Sequence, residues 1–141
     1  GLWGPRVNTA FKGMGLTHRD LNWANEQCLN ALKATLEGET GRWVLDQHDE
    51  AQNEYALTYS NKGTIETRIL DRTFVEENIR WIIDYKTGLH EGSDLEAFLK
   101  NEIQRHRPQL DGYEKALRNF GENRPIKKAI YHPFYQRLLE V

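Results

Sequence analysis

Residues 70–88 read LDRTFVEENIRWIIDYKTG. Two runs rich in apolar, β-branched and aromatic residues flank the polar group Glu76-Glu77-Asn78, the pattern of two strands joined by a tight turn. With Glu77 and Asn78 at the turn, Phe74 pairs with Trp81, Arg72 with Ile83 and Asp71 with Asp84. Leu70, Phe74, Trp81 and Ile83 then form an apolar face, while Asp71, Asp84 and Lys86 share the other.

Outward from this hairpin the chain alternates strands and helices. Tyr55, Leu57 and Tyr59 have the period of a half-buried strand, and the Asn61-Lys62-Gly63 turn leads into Thr64–Val75. Together with Ile79–Thr87 these make three antiparallel strands. Gly92-Ser93-Asp94 reads as a loop into a helix capped by Asp94, with Leu95, Phe98, Leu99 and Ile103 as its apolar stripe. Pro108 is expected to end that helix and begin another, because proline is tolerated only in a first turn. Gln109, Tyr113, Ala116, Leu117 and Phe120 would share a face of the second helix, and Gly121 would close it. Ile126–Tyr135 resumes alternation, with Pro133 demoting it towards a sheet edge.

At the other end, Gly1–Thr17 shows no period and reads as irregular. Asp20 or Asn22 would cap a helix carrying Leu21, Asn25, Cys28, Leu29, Leu32 and Leu36, with Gly38 as its stop. GRWVLD, residues 41–46, is ambiguous between strand and helix. The order of elements implies an α/β domain with a central mixed sheet flanked by helices. The 141 residues fit one domain, with 1–38 as lead-in and helix and 39–141 as the core. Gly1 in place of an initiating Met points to a fragment of a longer protein.

A formal charge of −2 excludes a strongly basic protein. Between Lys100 and Arg137, however, nine Lys or Arg face four acids, Glu102, Asp111, Glu114 and Glu122. A basic tail beside an acidic remainder suits a phosphate-binding wall next to a cation site, and equally two solvated faces. A single cysteine, Cys28, excludes an intrachain disulfide and a thiolate zinc site and fits a reducing, cytoplasmic setting. No apolar run reaches the ~18 residues of a membrane span. No GxxxxGK[ST] loop is present, which excludes nucleotide binding of that type.

Two carboxylates placed opposite each other destabilise a sheet, and a protein that keeps them together needs a cation between them. Asp oxygens suit a hard ion such as Mg²⁺ (or Mn²⁺), which retains waters and leaves room for a phosphate. A lysine beside the pair would orient or deprotonate a water, and the outcome would be phosphodiester hydrolysis. The plainer alternative is a solvent-facing Asp71 with Lys86 neutralising Asp84.

Ile82-Ile83-Asp84-Tyr85-Lys86-Thr87-Gly88, preceded by Leu70-Asp71-Arg72, resembles the RecB-like branch of the PD-(D/E)XK nucleases. Gln109 and Tyr113 match that family's Gln-x-x-x-Tyr mark, and Glu54 matches a Glu often found before the hairpin. The resemblance spans Glu54 to Tyr135 and is strongest to nuclease domains at the C-terminus of UvrD-like helicases. It implies a restriction-endonuclease-like fold and Mg²⁺-dependent cleavage of DNA. Asp71, Asp84 and the Tyr85 carbonyl would hold the metal, Lys86 would act on the water, and Gln109 and Tyr113 would place the strand. It also implies a helicase domain in the same parent chain, a possible second subunit and a role in recombinational repair. Lys100, Arg105, Arg107, Lys115 and Arg118 are candidate contacts to DNA phosphates.

Two positions depart from the family pattern. A Gly-x-x-x-His helix upstream is absent, His18 having the wrong spacing and reading as a loop residue, and Arg68 stands where a Gly is common. His48, His90, His106 and His132 show no ligand spacing, and His90 falls close to the site in sequence. Two rivals follow: a nuclease-like DNA-binding or docking domain without activity, and a structural module. The latter expects an exposed apolar face around Leu29, Leu32 and Leu36.

Overall fold

The computed structural model describes residues 18–141, which divide into two units. One comprises residues up to Leu45 together with Pro133–Arg137, and the other comprises Asp46–His132 with Leu138–Val141.

The first unit holds helices α1 (His18–Glu37) and α2 (Glu39–Leu45). Helix α1 is already formed at His18, so Asp20 and Asn22 lie inside it rather than capping it, and His18 is not a loop residue. Asp20 instead sits in the first turn, where a negative charge opposes the helix dipole favourably. Gly38 does interrupt the helix, and the ambiguous 41–46 segment is helical. A Cβ at Gly41 would lie 2.2 Å from the Thr35 carbonyl oxygen, so only glycine lets the two helices approach this closely. Leu21, Ala31 and Val44 are buried, whereas Trp23, Leu32 and Leu36 are exposed.

The second unit is built on β1 (Asp49–Asn61), β2 (Thr64–Glu76), β3 (Ile79–Tyr85), helix α3 (Leu95–Asn119) and β4 (Ile126–His132). Strand β5 (Arg137–Glu140) completes a five-stranded sheet in the order β1-β2-β3-β4-β5. β1, β2 and β3 are antiparallel neighbours, and β4 runs parallel to β3 after the α3 crossover. The protein is thus α/β with a mixed sheet, consistent with the expected restriction-endonuclease-like arrangement. Left-handed Glu77 (φ 49°) and Asn78 (φ 62°) form the β2–β3 turn, as a type I′ hairpin requires. The turn sets the expected register, with Phe74 opposite Trp81 and Arg72 opposite Ile83.

Three expectations are corrected. β1 begins at Asp49, not Glu54, and carries a register shift between Asp49 and Gln52. β4 ends at His132 and lies between β3 and β5, so Pro133 terminates an interior strand instead of marking an edge. Pro108 lies inside one continuous 25-residue helix. It removes the hydrogen bond to the Gln104 carbonyl, but both residues are exposed and water can take that bond. The ends of α3 are as expected. Asp94 Oδ1 accepts from Ala97 N at 2.9 Å, and left-handed Gly121 (φ 104°) allows Glu122 N–H to bond Leu117 O and Gly121 N–H to bond Arg118 O. Phe120, expected on the apolar face, is 65% exposed, and Leu110 is buried in its stead.

One face of the sheet packs against α3, and Leu57, Leu70, Phe74, Ile82, Ile83, Leu99, Leu110, Ile130 and Tyr131 are almost wholly buried. At the start of β3, Arg80 donates to Glu122 at 2.8 Å and pairs with Glu50, which Arg124 also grips at 2.6 Å. These charges wall a cavity of about 400 Å³ that Tyr55, Thr73 and Leu117 also line. The Arg124 hydrogen bond, aided by Arg80, holds Glu50 down at about 2. Burial works against Glu122, but the Arg124 N–H and the Arg80 guanidinium hold it below the usual carboxylate range. Both carboxylates are depressed, so the stability they confer is complete above the ordinary value of 4.5 and lost as pH falls towards 2. Stability measured by urea unfolding across this window should fall steeply for the natural chain and less steeply for Glu50→Gln/Glu122→Gln. Equal slopes would show that the cluster contributes no pH-dependent stability.

Candidate active site

Asp84 lies near the end of β3 and is only 2% exposed. An unaccompanied carboxylate is expensive to bury, and Lys86, two residues along the same side, brings its Nζ to 2.9 Å from Asp84 Oδ2. That oxygen is buried, and Lys86 meets it as a close ion pair outside ideal hydrogen-bond geometry. Lys86 Nζ also donates to Gln109 Oε1 at 3.2 Å, and Gln109 Nε2 donates to the Tyr113 hydroxyl at 2.8 Å. Gln109 and Tyr113 are four apart on α3 and therefore share a face.

The paired register, carried one step past Arg72 and Ile83, brings Asp71 beside Asp84. Asp71 Oδ2 accepts the Tyr85 N–H at 2.8 Å. Burial pushes the Asp84 carboxyl up; the Lys86 ammonium opposes this, and the adjacent Asp71 carboxyl adds to it by charge and hydrogen bonding. Burial also raises the Tyr113 phenol, reinforced by the Asp84 charge. Asp84 is thus paired with Lys86, while Asp71 and the Tyr113 phenol lie close enough for their charges to act within the same group.

Of the residues singled out in the sequence, the structure brings together Asp71, Asp84, Tyr85, Lys86, Gln109 and Tyr113. Glu54 is not among them. It is an exposed residue in the middle of β1, with φ 49°, between the pairs Asn53–Arg72 and Tyr55–Leu70. The pairing register is the same on either side of it, and Asp71 reaches the face it shares with Asp84 through the β2–β3 pairing.

Three residues of this end of the sheet were not foreseen. Glu102, buried on α3, meets His106 Nε2 at 3.1 Å and His132 Nε2 of β4 at 3.6 Å. Phe98 lies edge-on to His132 and stacks on His90, so His90 is a neighbour of this cluster. Glu102, His106, Gln109 and Tyr113 fall at helical spacing, a signal hidden in the sequence by the expected break at Pro108. The basic tail is partly consumed internally: Lys128 pairs with Asp111 and Glu114, Arg118 bonds the Glu122 and Arg124 carbonyls, and Lys115 bonds Asn61. Lys100, Arg105 and Arg107 are exposed on α3.

Among the described residues, no group of three or more His, Cys, Asp or Glu side chains is arranged to hold a metal ion. No described helix is long and apolar enough to cross a membrane. The chain matches no family model, and comparison with curated proteins likewise gives no match.

The raised Asp84 carboxyl yields a signed prediction. A carboxyl whose value is raised by folding destabilises the fold as pH climbs through that range. Asp84→Asn should therefore raise the melting temperature of the metal-free protein at pH 8 by ~2–5 °C, as expected when a strained functional group is neutralised. A lower melting temperature would show that the Lys86 ion pair outweighs the burial cost.

Proposed function

We propose that this chain is the nuclease domain of a DNA-processing protein and hydrolyses DNA phosphodiester bonds with Mg²⁺ or Mn²⁺. The observation that carries the reading is the buried Asp84 carboxylate, held against Lys86 with Asp71 beside it. Like-charged carboxylates are kept adjacent at a cost in stability, which a bound cation would reverse. Mg²⁺ is commonly held by one or two carboxylates while keeping several waters, so Asp71, Asp84 and the Tyr85 carbonyl are a sufficient donor set. When bound, the ion would supply positive charge to offset the negative charge that builds on the phosphate oxygens during attack.

The chain's own residues account for the remainder. The Lys86 ammonium lies between Asp84 and Gln109, where it orients a water towards the phosphorus and offsets developing negative charge. Gln109 and Tyr113, linked to each other, present an amide and a phenol for placing the strand. Exposed Lys100, Arg105 and Arg107 on the same helix would meet backbone phosphates and contribute to affinity without reading sequence. The surrounding parent protein would include a helicase, and the setting would be cytoplasmic DNA repair.

The exposure of Leu32 and Leu36 on α1 favours a second reading, a docking module for a partner subunit. The two differ in their response to metal, since docking alone gives Mg²⁺ no role.

Incubation of labelled single-stranded and linear duplex DNA with Mg²⁺ or Mn²⁺ tests the assignment. Cleavage should require the metal and fall ~10²–10⁴-fold in Lys86→Ala, the range for loss of a positioned catalytic group. In parallel, Mg²⁺ should raise the melting temperature of the natural chain and leave that of Asp71→Asn/Asp84→Asn unchanged. Absence of both cleavage and a metal-dependent shift would exclude the nuclease reading.

A further inference from the structure

The buried Glu102 carboxylate and its two histidines have no part in the mechanism above, although they adjoin it. Glu102, His106, Gln109 and Tyr113 recur at the spacing of a single helical face, and His106 stands one turn, ~4.5 Å of rise, before Gln109. Glu102 is 6% exposed and His132 is wholly buried, whereas the His106 side chain retains 18% exposure. His106 is therefore the member of the cluster that solvent or substrate can reach.

The charged groups around it are few. On its own helix are Glu102, at 3.1 Å, and Arg105, which approaches Glu102 only to 3.9 Å and is largely exposed. From β4 comes His132, and from the segment after β3 comes Lys86. Burial pushes the His132 imidazole down against the pull of Glu102, and both His106 and Lys86 add to that fall. His132 stands 3.6 Å from Glu102 on the sheet side of the cluster. Glu102 is left as the counter-charge available to His106. A buried carboxylate bound to one imidazole nitrogen fixes the ring's tautomer and orientation.

We propose that His106 is the general acid of the hydrolysis, with Glu102 as its positioning residue. This rests on the nuclease reading and extends it. Water attack forms a new P–O bond, and the phosphorus–oxygen bond to the departing deoxyribose breaks. The proton lost by the water passes to solvent past Lys86. The proton on His106 Nδ1 moves to the departing oxygen, and solvent then returns the imidazole to its charged form. Nε2–H stays on Glu102 throughout, so the ring does not turn during the cycle.

Replacement of the bridging oxygen by sulfur separates this role from any other, because a thiolate leaves without a proton. Oligonucleotides with 3′- or 5′-bridging sulfur and their all-oxygen counterpart would be cleaved in Mn²⁺ by the natural chain, His106→Ala and Glu102→Gln. His106→Ala should lose ~10²–10³-fold on the oxygen substrate, and close to nothing on the sulfur substrate whose leaving group matches the reaction. Glu102→Gln should show the same pattern, more weakly. Equal losses on both substrates, or no loss on either, would overturn the assignment. Failure of the natural chain on every substrate would instead remove the nuclease reading and this inference with it. A second readout needs neither metal nor substrate. Nitrogen-15 shifts of the His106 ring in the metal-free protein should report Nε2–H once it is neutral, and a mixed tautomer in Glu102→Gln. Nδ1–H in the natural chain would equally overturn the proposal.

Discussion

Burial of the Asp84 carboxylate in an interior strand is the constraint from which the rest of this unit follows. At 2% exposure such a group must either neutralise or acquire a counter-charge, and Lys86 is the side chain placed to supply it. Lys86 in turn is oriented by Gln109, which is itself fixed by the Tyr113 hydroxyl. An unbroken α3, Leu95 to Asn119, adds Glu102 and His106 to the face that carries Gln109 and Tyr113. The helix tolerates Pro108 because Gln104, whose carbonyl loses its bond, is exposed to water.

The two ends of the sheet treat charge in opposite ways. At the start of β3, Arg80 and Arg124 meet Glu50 and Glu122 in equal numbers, every partner is hydrogen-bonded, and the carboxyls are held below their ordinary range. At its end, Lys86 pairs with Asp84 while Asp71 lies beside it, and burial pushes the Asp84 carboxyl up. The first arrangement stabilises the fold unaided. The second is an imbalance that the rest of the unit carries, which is the usual physical mark of a site awaiting a cation or substrate.

The polar face of α3 joins these observations. Glu102 and His106 extend the Gln109–Tyr113 array by about two turns towards the helix N-terminus, and His132 of β4 meets it from the sheet. In the proposed mechanism the water is handled by Lys86 after β3 and the leaving oxygen by His106 on α3, with Gln109 of the same helix bonded to Lys86. Helical placement makes such distances rigid, whereas loops would leave them variable.

Local chemistry was sufficient for much of this. Glu77-Asn78 between two apolar runs determined the hairpin, its register and hence the meeting of Asp71 with Asp84, because period-two alternation and a two-residue turn leave one pairing that buries Phe74 and Ile83. Asp94 and Gly121 determined the ends of α3 through capping, and Gln109 and Tyr113 were legible as a same-face pair. Other features depended on long-range contacts. Whether Pro108 broke the helix turned on the exposure of Gln104, and the Glu102–His106–His132 cluster stayed hidden with it. The interior position of β4 and the addition of β5 depended on which strand edges remained unpaired after the α3 crossover. Glu54, matched by resemblance to a site position, lies exposed on β1 between the pairs Asn53–Arg72 and Tyr55–Leu70. The sequence by itself determined the hairpin and the residues across it. Only the tertiary structure decided which helix face closes over them, because that choice is made by packing between segments far apart in the chain.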